Sequence, residues 1–556
     1  ALGSMTASLA WVDGIANPIA RVADQAWSDS QTCGGKPCSP SNQFCAKPFV
    51  NAPTYHLMDQ HGCAENDPNG PVFDPVHGVF HHFYQIHLAA PPGHGPDYGH
   101  FVSKDFVSWA AMPVAIWNGL DASAWPPRAT PYDNQAIFTG SAAVVEGAGP
   151  GGEGPGIVQI YPGLCNKADW PACETGTLLA QAVPADYASD PLLANWTKPS
   201  YNPIMENTQR DPSTPWQTPS GEWRLRTFNS MVYGSASSKD LLAGKWYEIG
   251  KSDDFRQCEC PSVYPLPAAT PGTEAAYEEA RRAGMPDTVH KTSCGGDWWQ
   301  LGSYDPGAPR SVGSFKPTPG WEDLFAQKRI DQGNFYASKD NEYPTLAGGK
   351  RRINWGWATV PPASAQTLPR EVTFNAEARA LQQYPIEEIA GLRAAAAFDR
   401  HGVAVRGSVG LGVPAGVARQ AELLVSFALP SESATFGVRI GGSSSGDGTV
   451  CALACSAARR TPPHARLPRG QASVAPSTTR PAPPTPPSRA AACATRFRCS
   501  RARRRSSCAS LQTGRLSRPT SSAAASPSPP RPPSLPTPSP RSRPTSPSPR
   551  TCRSSR

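Results

Sequence analysis

Three acidic residues stand among turn-forming neighbours at widely separated points of the sequence. Asp67 lies in the Asn-Asp-Pro-Asn-Gly run of residues 66–70, Asp211 lies between an arginine and a proline, and Glu259 lies between two cysteines, before a proline. Asparagine and proline restrict the local backbone, so each carboxyl group can be presented from a fixed turn. Any one of them alone is more typical of a structural turn. The three together are candidates for chemistry.

Two other sequence features do not indicate a metal-binding or phosphate-binding site. His77, His81, His82 and His87 surround one strand-like run, but only His81 and His87 share a face of that strand and no Asp or Glu completes a ligand set. The glycine-rich segment 147–156 lacks the Gly-Lys-Ser/Thr of a phosphate-binding loop. We therefore predict no bound metal and no cofactor.

The positive net charge of the chain comes from its C-terminal region. Residues 451–556 contain 20 Arg and no Lys, Asp or Glu, whereas residues 1–450 carry 32 basic and 44 acidic side chains. An acidic body without a basic stripe argues against nucleic-acid binding, because phosphate neutralisation supplies most of that affinity. With 21 of the 63 prolines and no Trp, Tyr or Ile, residues 451–556 are predicted to be disordered and without strands. A basic arm for anionic polymers is the alternative, disfavoured by the absence of Lys.

Short β-like runs broken by Pro, Gly, Asn and Asp fill the region between about residues 53 and 360. Such strands with turn chemistry between them predict a sandwich, barrel or propeller. The segment from Thr273 to Gly284, rich in Ala, Glu and Arg, predicts a short helix inserted in a loop. A second β region begins near Arg370. No run of 18 apolar residues occurs, which excludes a transmembrane helix.

Cysteine usage favours an oxidising compartment. Nine cysteines lie in the first 450 residues without a paired zinc-type spacing, and Cys165 and Cys173 flank a polar loop that they could close. Asn195 begins an Asn-Trp-Thr glycosylation sequon. We expect an extracellular or vacuolar protein, although no signal peptide is visible at the N-terminus.

Eight motifs follow one another in a fixed order. They are Asn-Asp-Pro-Asn-Gly at 66–70, Phe-Tyr-Gln at 83–85, Gly-His-Phe-Val-Ser-Lys-Asp-Phe-Val-Ser-Trp at 99–109, Phe-Thr-Gly-Ser-Ala at 138–142, Arg-Asp-Pro at 210–212, Glu-Cys-Pro at 259–261, Phe-Tyr-Ala-Ser-Lys at 335–339 and Arg-Arg-Ile-Asn-Trp-Gly-Trp at 351–357. In order and spacing this set resembles glycoside hydrolase family 32, the group of invertases, inulinases, levanases and fructosyltransferases. The resemblance covers roughly residues 50–400.

The resemblance implies an all-β chain in which a five-bladed β-propeller is followed by a β-sandwich. We predict a Cys/Pro/Gly-rich lead-in at residues 1–50, a catalytic propeller at 51–362, a partial and truncated sandwich at 363–450 and a disordered tail at 451–556. Composition by itself does not indicate five blades.

The resemblance also assigns roles to the three carboxyl groups: Asp67 matches the nucleophile, Glu259 the general acid/base and Asp211 the transition-state stabiliser. Cleaving a fructofuranoside creates an oxocarbenium-like centre that a carboxylate can trap covalently, while a second, protonated carboxyl supplies the proton to the leaving oxygen. The nearby anions Asp67 and Asp211 would favour the protonated form of Glu259. Arg210 would keep Asp211 ionised.

Further substrate contacts follow from the same motifs. The amide groups of Asn66 and Gln85 suit paired sugar hydroxyls, whereas Phe138 is equally consistent with an apolar pocket wall and an ordinary core aromatic. The complete set of predicted substrate-binding residues is Asn66, Gln85, Phe138, Ser141, Arg210 and Asp331.

The chain departs from the family pattern around the predicted pocket. Ala64 and Glu65 stand where the family usually has Trp-Met, Tyr98 replaces a Trp, and Ser262 replaces the common Asp after Glu-Cys-Pro. These changes predict altered walls of the sugar pocket.

We therefore expect a retaining β-fructofuranosidase that acts on sucrose or short fructans without a cofactor. A fructosyltransferase, which passes the fructosyl group to a sugar instead of water, is the alternative within the enzymes. A non-catalytic fructan-binding protein of the same fold is the alternative outside them, because a fold does not fix a function.

Overall fold

The structure is a computed structural model of the 556-residue chain. It describes residues 32–33, 36–37, 53, 55–59, 64–87, 95–252, 257–318, 329–331, 333–345, 348–359, 364–394, 396, 398–413, 421–428, 434–440, 449–455, 492–497 and 505–509. Most of the predicted lead-in at 1–50 and most of the predicted tail lie outside the described residues.

Five antiparallel sheets follow one another between residues 65 and 385, each a short meander of four or five strands. Inner strands of neighbouring blades contact one another: Glu259–Pro265 contacts Phe335–Pro344, Phe335–Pro344 contacts Glu65–Pro68, and Val72–Asp74 contacts Ser141–Glu146. The sheets therefore stand around a common axis as the blades of a propeller. The predicted five-bladed propeller is therefore confirmed. Blade 1 contains Glu65–Pro68, Val72–Asp74, Val79–Ile86, Asp97–Ser103 and Trp109–Ile116.

The remaining blades continue the same order. Blade 2 contains Ala136–Ile137, Ser141–Glu146, Pro155–Leu164, Thr177–Pro184 and Trp196–Thr197. Blade 3 contains Trp216–Gln217, Trp223–Arg226, Met231–Ser235 and Tyr247–Lys251. Blade 4 contains Glu259–Pro265, Thr288–Ser293, Asp297–Asp305 and Ser314–Pro317. Blade 5 contains Phe335–Pro344, Lys350–Ala358, Ala365–Gln366, Arg370–Asn375 and Ala380–Pro385.

Blade 5 extends beyond the boundary predicted at residue 362. Arg370–Asn375 pairs with Lys350–Ala358, and Ala380–Pro385 pairs with Arg370–Asn375. The sequence predicted that the propeller ends at residue 362, but the chain continues past that point into the outer strands of the same sheet. Only the pairing of strands distant in sequence reveals this continuation.

Apolar contacts hold most neighbouring blades together. One core cluster contains Phe83 of blade 1 and Ile157 of blade 2, and another contains Val158 of blade 2 and Leu225 of blade 3. Further clusters join blade 4 to blade 5 and blade 5 to blade 1. Burial of apolar surface on both faces of each blade is the main stabilising contribution to such a ring.

The contact between blades 3 and 4 is different because it contains buried arginines. Arg224 donates to the carbonyl oxygen of Pro306 at 2.7 Å and lies beside Tyr304, while Arg226 lies 2.9 Å from the ring of His290. Glu222 pairs with Arg224. The stability of a polar contact of this kind depends on hydrogen bonding of every buried polar group rather than on the apolar area buried.

The helices are short and lie between strands. Glu274–Arg282 follows Thr273 and ends before Ala283, which confirms the helix predicted from Thr273 to Gly284. Ser238–Leu242 begins after Ser237, whose side chain accepts a hydrogen bond from the Asp240 backbone N–H. The 3-10 helices are Pro131–Asp133, Pro150–Gly152, Phe228–Ser230 and Glu387–Leu392. No described helix is long and apolar enough to span a membrane.

Small sheets complete the described structure. Thr32–Cys33 pairs with Lys36–Pro37, Leu120–Asp121 with Arg128–Ala129, Leu424–Ala428 with Arg505–Ala509, and Ala434–Ile440 with Thr449–Cys455, which continues to Ala492–Phe497. The sequence predicted no strands in residues 451–556, so the strands at 492–497 and 505–509, together with residues 451–455 of Thr449–Cys455, correct that expectation. All three are short runs without proline, which the proline-rich composition of the whole segment concealed.

Candidate active site

All five blades contribute side chains to one region at the propeller axis. Each contributing residue lies in the first strands of its blade or in the segment before them. The contributing residues are Asn66 and Asp67 in blade 1, Thr139 and Ser141 in blade 2, Arg210 and Asp211 before blade 3, Glu259 and Cys260 in blade 4, and Tyr336 and Lys339 in blade 5.

The strand ladder is interrupted at this region in three blades. In each case three residue steps on the first strand face two steps on its partner, which is a β-bulge. The flanking pairs are Glu65–Ile86 and Pro68–Tyr84, Glu259–Ser293 and Ser262–Lys291, and Tyr336–Trp357 and Lys339–Trp355. Because a bulge redirects side chains that would otherwise alternate between faces, it turns the functional groups of these strands toward the axis.

Backbone strain accompanies the bulges. Asp211, Cys260 and Ala337 have φ angles of +59°, +46° and +51°, in the left-handed region that residues other than glycine seldom adopt. Such conformations persist only where the surrounding structure holds them, and they concentrate at functional sites.

Asp67 is held by a chain of polar side chains. The hydroxyl of Thr139 donates to Asp67 Oδ2 and accepts a 2.7 Å hydrogen bond from Gln85 Nε2. Asn66 Nδ2 lies 3.2 Å from Asp67 Oδ1 and 3.0 Å from Gln85 Oε1. Asn66 and Gln85, predicted to contact sugar, therefore also fix the carboxyl group that lies beside them.

Asp211 is buried, with 4% of its surface exposed. The carbonyl oxygen of Pro212, the next residue, accepts hydrogen bonds from Ser141 Oγ at 2.7 Å and from Lys339 Nζ at 2.8 Å. Lys339 Nζ also lies 3.1 Å from Ser141 Oγ. Ser141 is completely buried, so the structure places this predicted sugar ligand behind the Asp211 turn.

Glu259 is more open to solvent than Asp211. Its carboxylate accepts a 2.5 Å hydrogen bond from Arg210 Nη2 and a 2.7 Å hydrogen bond from the hydroxyl of Tyr336. Arg210 Nε lies 3.7 Å from Asp211 Oδ2. The guanidinium thus makes its close, charge-assisted contact with Glu259 and not with Asp211, which differs from the partner expected from sequence.

The three carboxyl groups are close enough to affect one another. Burial raises the pKa of Asp67, against the hydrogen bonds from Thr139 and Asn66, which lower it; the charge of Glu259 raises it further. Burial, followed by the charge of Asp67, raises the pKa of Asp211 to about 7.

Lys339 is the buried cation of the site. Its charge lowers the pKa of both Asp67 and Asp211, while burial lowers the pKa of Lys339 itself. The sequence did not identify this role, although Lys339 ends the Phe-Tyr-Ala-Ser-Lys motif. Thr139 and Tyr336 were also missed as functional residues. Their motifs were visible in the sequence, but only the bulges reveal which side chains turn inward.

Two other predicted ligands have distinct surroundings. Asp331 is buried, accepts a 2.7 Å hydrogen bond from Arg370 Nη1 and accepts another from the Gly333 backbone N–H. Phe138 is half-buried, and its carbonyl oxygen accepts a 2.6 Å hydrogen bond from Tyr98 Oη. No contact in the described part of the chain joins Asp331 directly to the three carboxyl groups.

The histidine-rich strand of blade 1 is part of the buried structure. His81 Nδ1 lies 2.9 Å from His100 Nε2, and His82 Nε2 lies 3.1 Å from Gln366 Oε1. Burial lowers the pKa of His81 to about 4 and that of His82 to about 3. Within the described ranges, no group of three or more His, Cys, Asp or Glu side chains is arranged to hold a metal ion.

Comparison with known proteins identifies the family. Residues 56–385 match the family described as "Glycosyl hydrolases family 32 N-terminal domain". The chain therefore belongs to glycoside hydrolase family 32, and the family resemblance inferred from the eight motifs is confirmed.

Curated relatives carry the names of fructan- and fructofuranoside-cleaving enzymes. The chain is 30% identical over 428 residues to the fructan 6-exohydrolase of Triticum aestivum, covering 69% of this chain and 65% of the relative. It is 31% identical over 403 residues to the β-fructofuranosidase insoluble isoenzyme 7 of Oryza sativa subsp. indica, covering 66% and 61%. The chain thus spans somewhat less than two thirds of the length of these relatives.

Among solved structures, the fructan 1-exohydrolase IIa of Cichorium intybus is similar to this chain with a TM-score of 0.46. The sequence identity is 24%, and the alignment covers 70% of this chain and 66% of that protein.

Proposed function

We propose that the protein is a retaining β-fructofuranosidase that hydrolyses terminal fructosyl units of sucrose or short fructans. The observation that carries this proposal is the meeting of Asp67 in blade 1, Asp211 in the segment before blade 3 and Glu259 in blade 4, in a chain of family 32. The names of the relatives support the same substrate class.

Asp67 is the proposed nucleophile. Its hydrogen bond from Thr139 fixes one carboxylate oxygen, so the group is oriented before substrate arrives. Attack on the anomeric carbon of fructose forms a covalent fructosyl-enzyme as the bond to the leaving oxygen breaks. Retention follows because water then displaces the enzyme carboxylate from the face first occupied by the leaving group.

Glu259 is the proposed general acid and base. Its partial exposure lets it reach the leaving oxygen, to which it transfers a proton, and it then accepts a proton from the attacking water. Arg210 and Tyr336 orient its two oxygens between these steps.

Asp211 is the proposed stabiliser of the fructosyl ring. Because its pKa is raised to about 7, Asp211 carries a proton below neutral pH more readily than an ordinary carboxyl group. Asp67 serves as nucleophile, and Asp211 exchanges hydrogen bonds with fructose hydroxyls as ring charge develops. Asn66, Gln85, Phe138, Arg210 and Asp331 remain proposed substrate contacts, and Ser141 is proposed to act on substrate only through the Asp211 turn.

Product analysis tests the proposal directly. The full chain is incubated with sucrose at low and at high concentration, and the sugars are separated by chromatography. Glucose and fructose in equal amounts at both concentrations support hydrolysis. A trisaccharide that accumulates at high sucrose identifies a fructosyltransferase, and unchanged sucrose with measurable binding identifies a non-catalytic fructan-binding protein.

We also propose that the protein works in an oxidising compartment, extracellular or vacuolar. Two disulfides, Cys165–Cys173 and Cys258–Cys294, support this location. Cys165–Cys173 closes the polar loop as the sequence suggested. Fractionation of the expressing cells, with activity assayed in the medium, wall and vacuole, separates these compartments.

A further inference from the structure

A disulfide bond lies beside the proposed acid/base residue. Glu259 pairs with Ser293 in antiparallel register, so the residues one step further out, Cys258 and Cys294, face each other across the same two strands. These two cysteines form the disulfide. The covalent bond therefore continues the ladder by one step at the end of the strand that carries Glu259.

The ladder is weak on the other side of Glu259. The bulge follows immediately, and the next pair is Ser262–Lys291. Cys260 has a left-handed φ of +46°, and Pro261 has no backbone N–H to donate. In the backbone ladder, Glu259 is thus joined to its partner strand through one residue pair and the adjoining disulfide, while the side chain of Lys291 on that strand donates a 3.1 Å hydrogen bond to the Cys260 carbonyl oxygen.

The partner strand is itself held in place by contacts with residues of the site and of its own blade. The hydroxyl of Tyr336, which contacts Glu259, also lies 3.2 Å from the carbonyl oxygen of Ser293. Cys294 is held in turn by its backbone N–H, which donates to Gly296, and by its carbonyl oxygen, which accepts from Trp298 Nε1 at 3.1 Å.

We propose that the Cys258–Cys294 disulfide is a positioning clamp that holds Glu259 at the distance needed for proton transfer to the leaving oxygen. This inference rests on the proposed function, because it assigns the clamp to the acid/base step. A displacement of about 1 Å can reduce turnover by roughly 100-fold. Cys258 and Cys294 are half-buried, so a small thiol reagent can reach the bond.

The chain contains a matched control. Cys165–Cys173 is a second disulfide, between two strands of blade 2, and it joins none of the residues of the site. Removal of either disulfide by double substitution to serine takes away one cross-link, but only one of the two is next to Glu259.

The experiment compares C258S/C294S, C165S/C173S and the wild-type chain on two substrates. Sucrose needs a proton on its leaving oxygen, whereas p-nitrophenyl β-fructofuranoside has a leaving group that departs with little acid assistance. We expect C258S/C294S to lose about 10-fold or more in kcat/KM on sucrose and less than about threefold on the nitrophenyl substrate. C165S/C173S should stay within about twofold of wild type on both.

A second measurement covers the case in which C258S/C294S does not fold. C165S/C173S is treated with dithiothreitol. Of the disulfides formed by the described residues, this variant retains Cys258–Cys294, so that bond is the one the reagent reduces. Two thiols of the reagent are oxidised to its cyclic disulfide as the two cysteines gain two electrons and two protons. The same substrate-selective loss is expected, reversed by reoxidation.

Equal losses on both substrates, or no loss, contradict the clamp while leaving the proposed function intact. Absence of wild-type activity on both substrates contradicts the proposed function, and with it the catalytic role of the clamp.

Discussion

The two sides of the active site are built differently. On the closed side, Thr139 holds the half-buried Asp67, and the buried Lys339 holds the turn that carries the buried Asp211. On the open side, Glu259 is 32% exposed and is held by Arg210 and Tyr336. A nucleophile must be held rigidly, whereas a proton donor must reach both the departing sugar and the entering water, so each side suits its proposed step.

The largest effect should come from removing the carboxyl groups themselves. Asp67→Ala, Asp211→Ala and Glu259→Ala should each lower kcat on sucrose by about 1,000-fold or more, because each group acts mainly in the transition state. Circular dichroism should show an intact fold. Asp287→Asn, at an exposed carboxylate, is the control and should retain full turnover. If a variant keeps more than about a tenth of wild-type turnover, the role assigned to the substituted residue is wrong.

Asp211 should reduce the stability of the closed side at neutral pH. Its pKa is raised from 3.8 to about 7 in the folded protein, so it contributes stability that is present below 3.8 and lost as pH rises through 7. Asp211→Asn has no charge to bury. Its free energy of unfolding should exceed that of wild type by a few kcal/mol at pH 8 and by much less at pH 5, because a tenfold change in proton affinity corresponds to about 1.4 kcal/mol.

Urea unfolding at the two pH values measures this difference. Glu259→Gln is the control from the open side, where loss of a half-exposed ion pair should change stability by only about 0–1 kcal/mol. Equal effects of the two substitutions would remove the distinction between the closed and open sides.

The charge of Lys339 should influence the ionisation of both carboxyl groups on the closed side. Lys339→Met removes the charge that lowers the pKa of Asp67 and Asp211, so the acidic limb of the kcat/KM profile should move to higher pH. Activity should fall by roughly 100-fold, as expected for a buried charge-assisted contact of about 3 kcal/mol.

Lys198→Met is the matched control for this effect. Lys198 is also buried, and it pairs with Asp133 at 2.5 Å in the contact between blades 1 and 2. The control should lose stability without moving the pH profile. A similar shift in both variants would show that Lys339 has only a structural role.

The motifs in the sequence predicted the architecture better than the pattern of short β-like runs and turn residues did. The turn residues around Asp67, Asp211 and Glu259 marked the three carboxyl groups, and the Ala/Glu-rich run marked the helix Glu274–Arg282. Five blades could not be counted from strands this short, because the pairing that defines a blade joins strands whose boundaries the pattern does not fix.

The contacts between blades could not be predicted from the sequence. Arg210 stands next to Asp211 in the chain, yet its closest carboxylate is Glu259 from another blade. Ser141 likewise points to the Pro212 carbonyl rather than into open space. Both outcomes depend on where bulges and left-handed residues turn the chain, and neither feature has a sequence signature when the residues are not glycine.

The smallest effect should come from the open side. Tyr336→Phe removes one hydrogen bond to Glu259 but leaves Arg210 in place, so kcat should fall by about 10-fold, or roughly 1.4 kcal/mol, with KM nearly unchanged. Thermal stability should also be nearly unchanged, because Tyr336 is half-exposed. Tyr247→Phe is the control. Its hydroxyl donates to Glu222 at 2.5 Å, and Tyr247 lies on the fourth and outermost strand of blade 3, so the loss of this hydroxyl should leave kcat at the wild-type level. If Tyr336→Phe lowered kcat as strongly as Glu259→Ala, Tyr336 would belong to the proton-transfer step itself, and the open side would be as tightly constrained as the closed one.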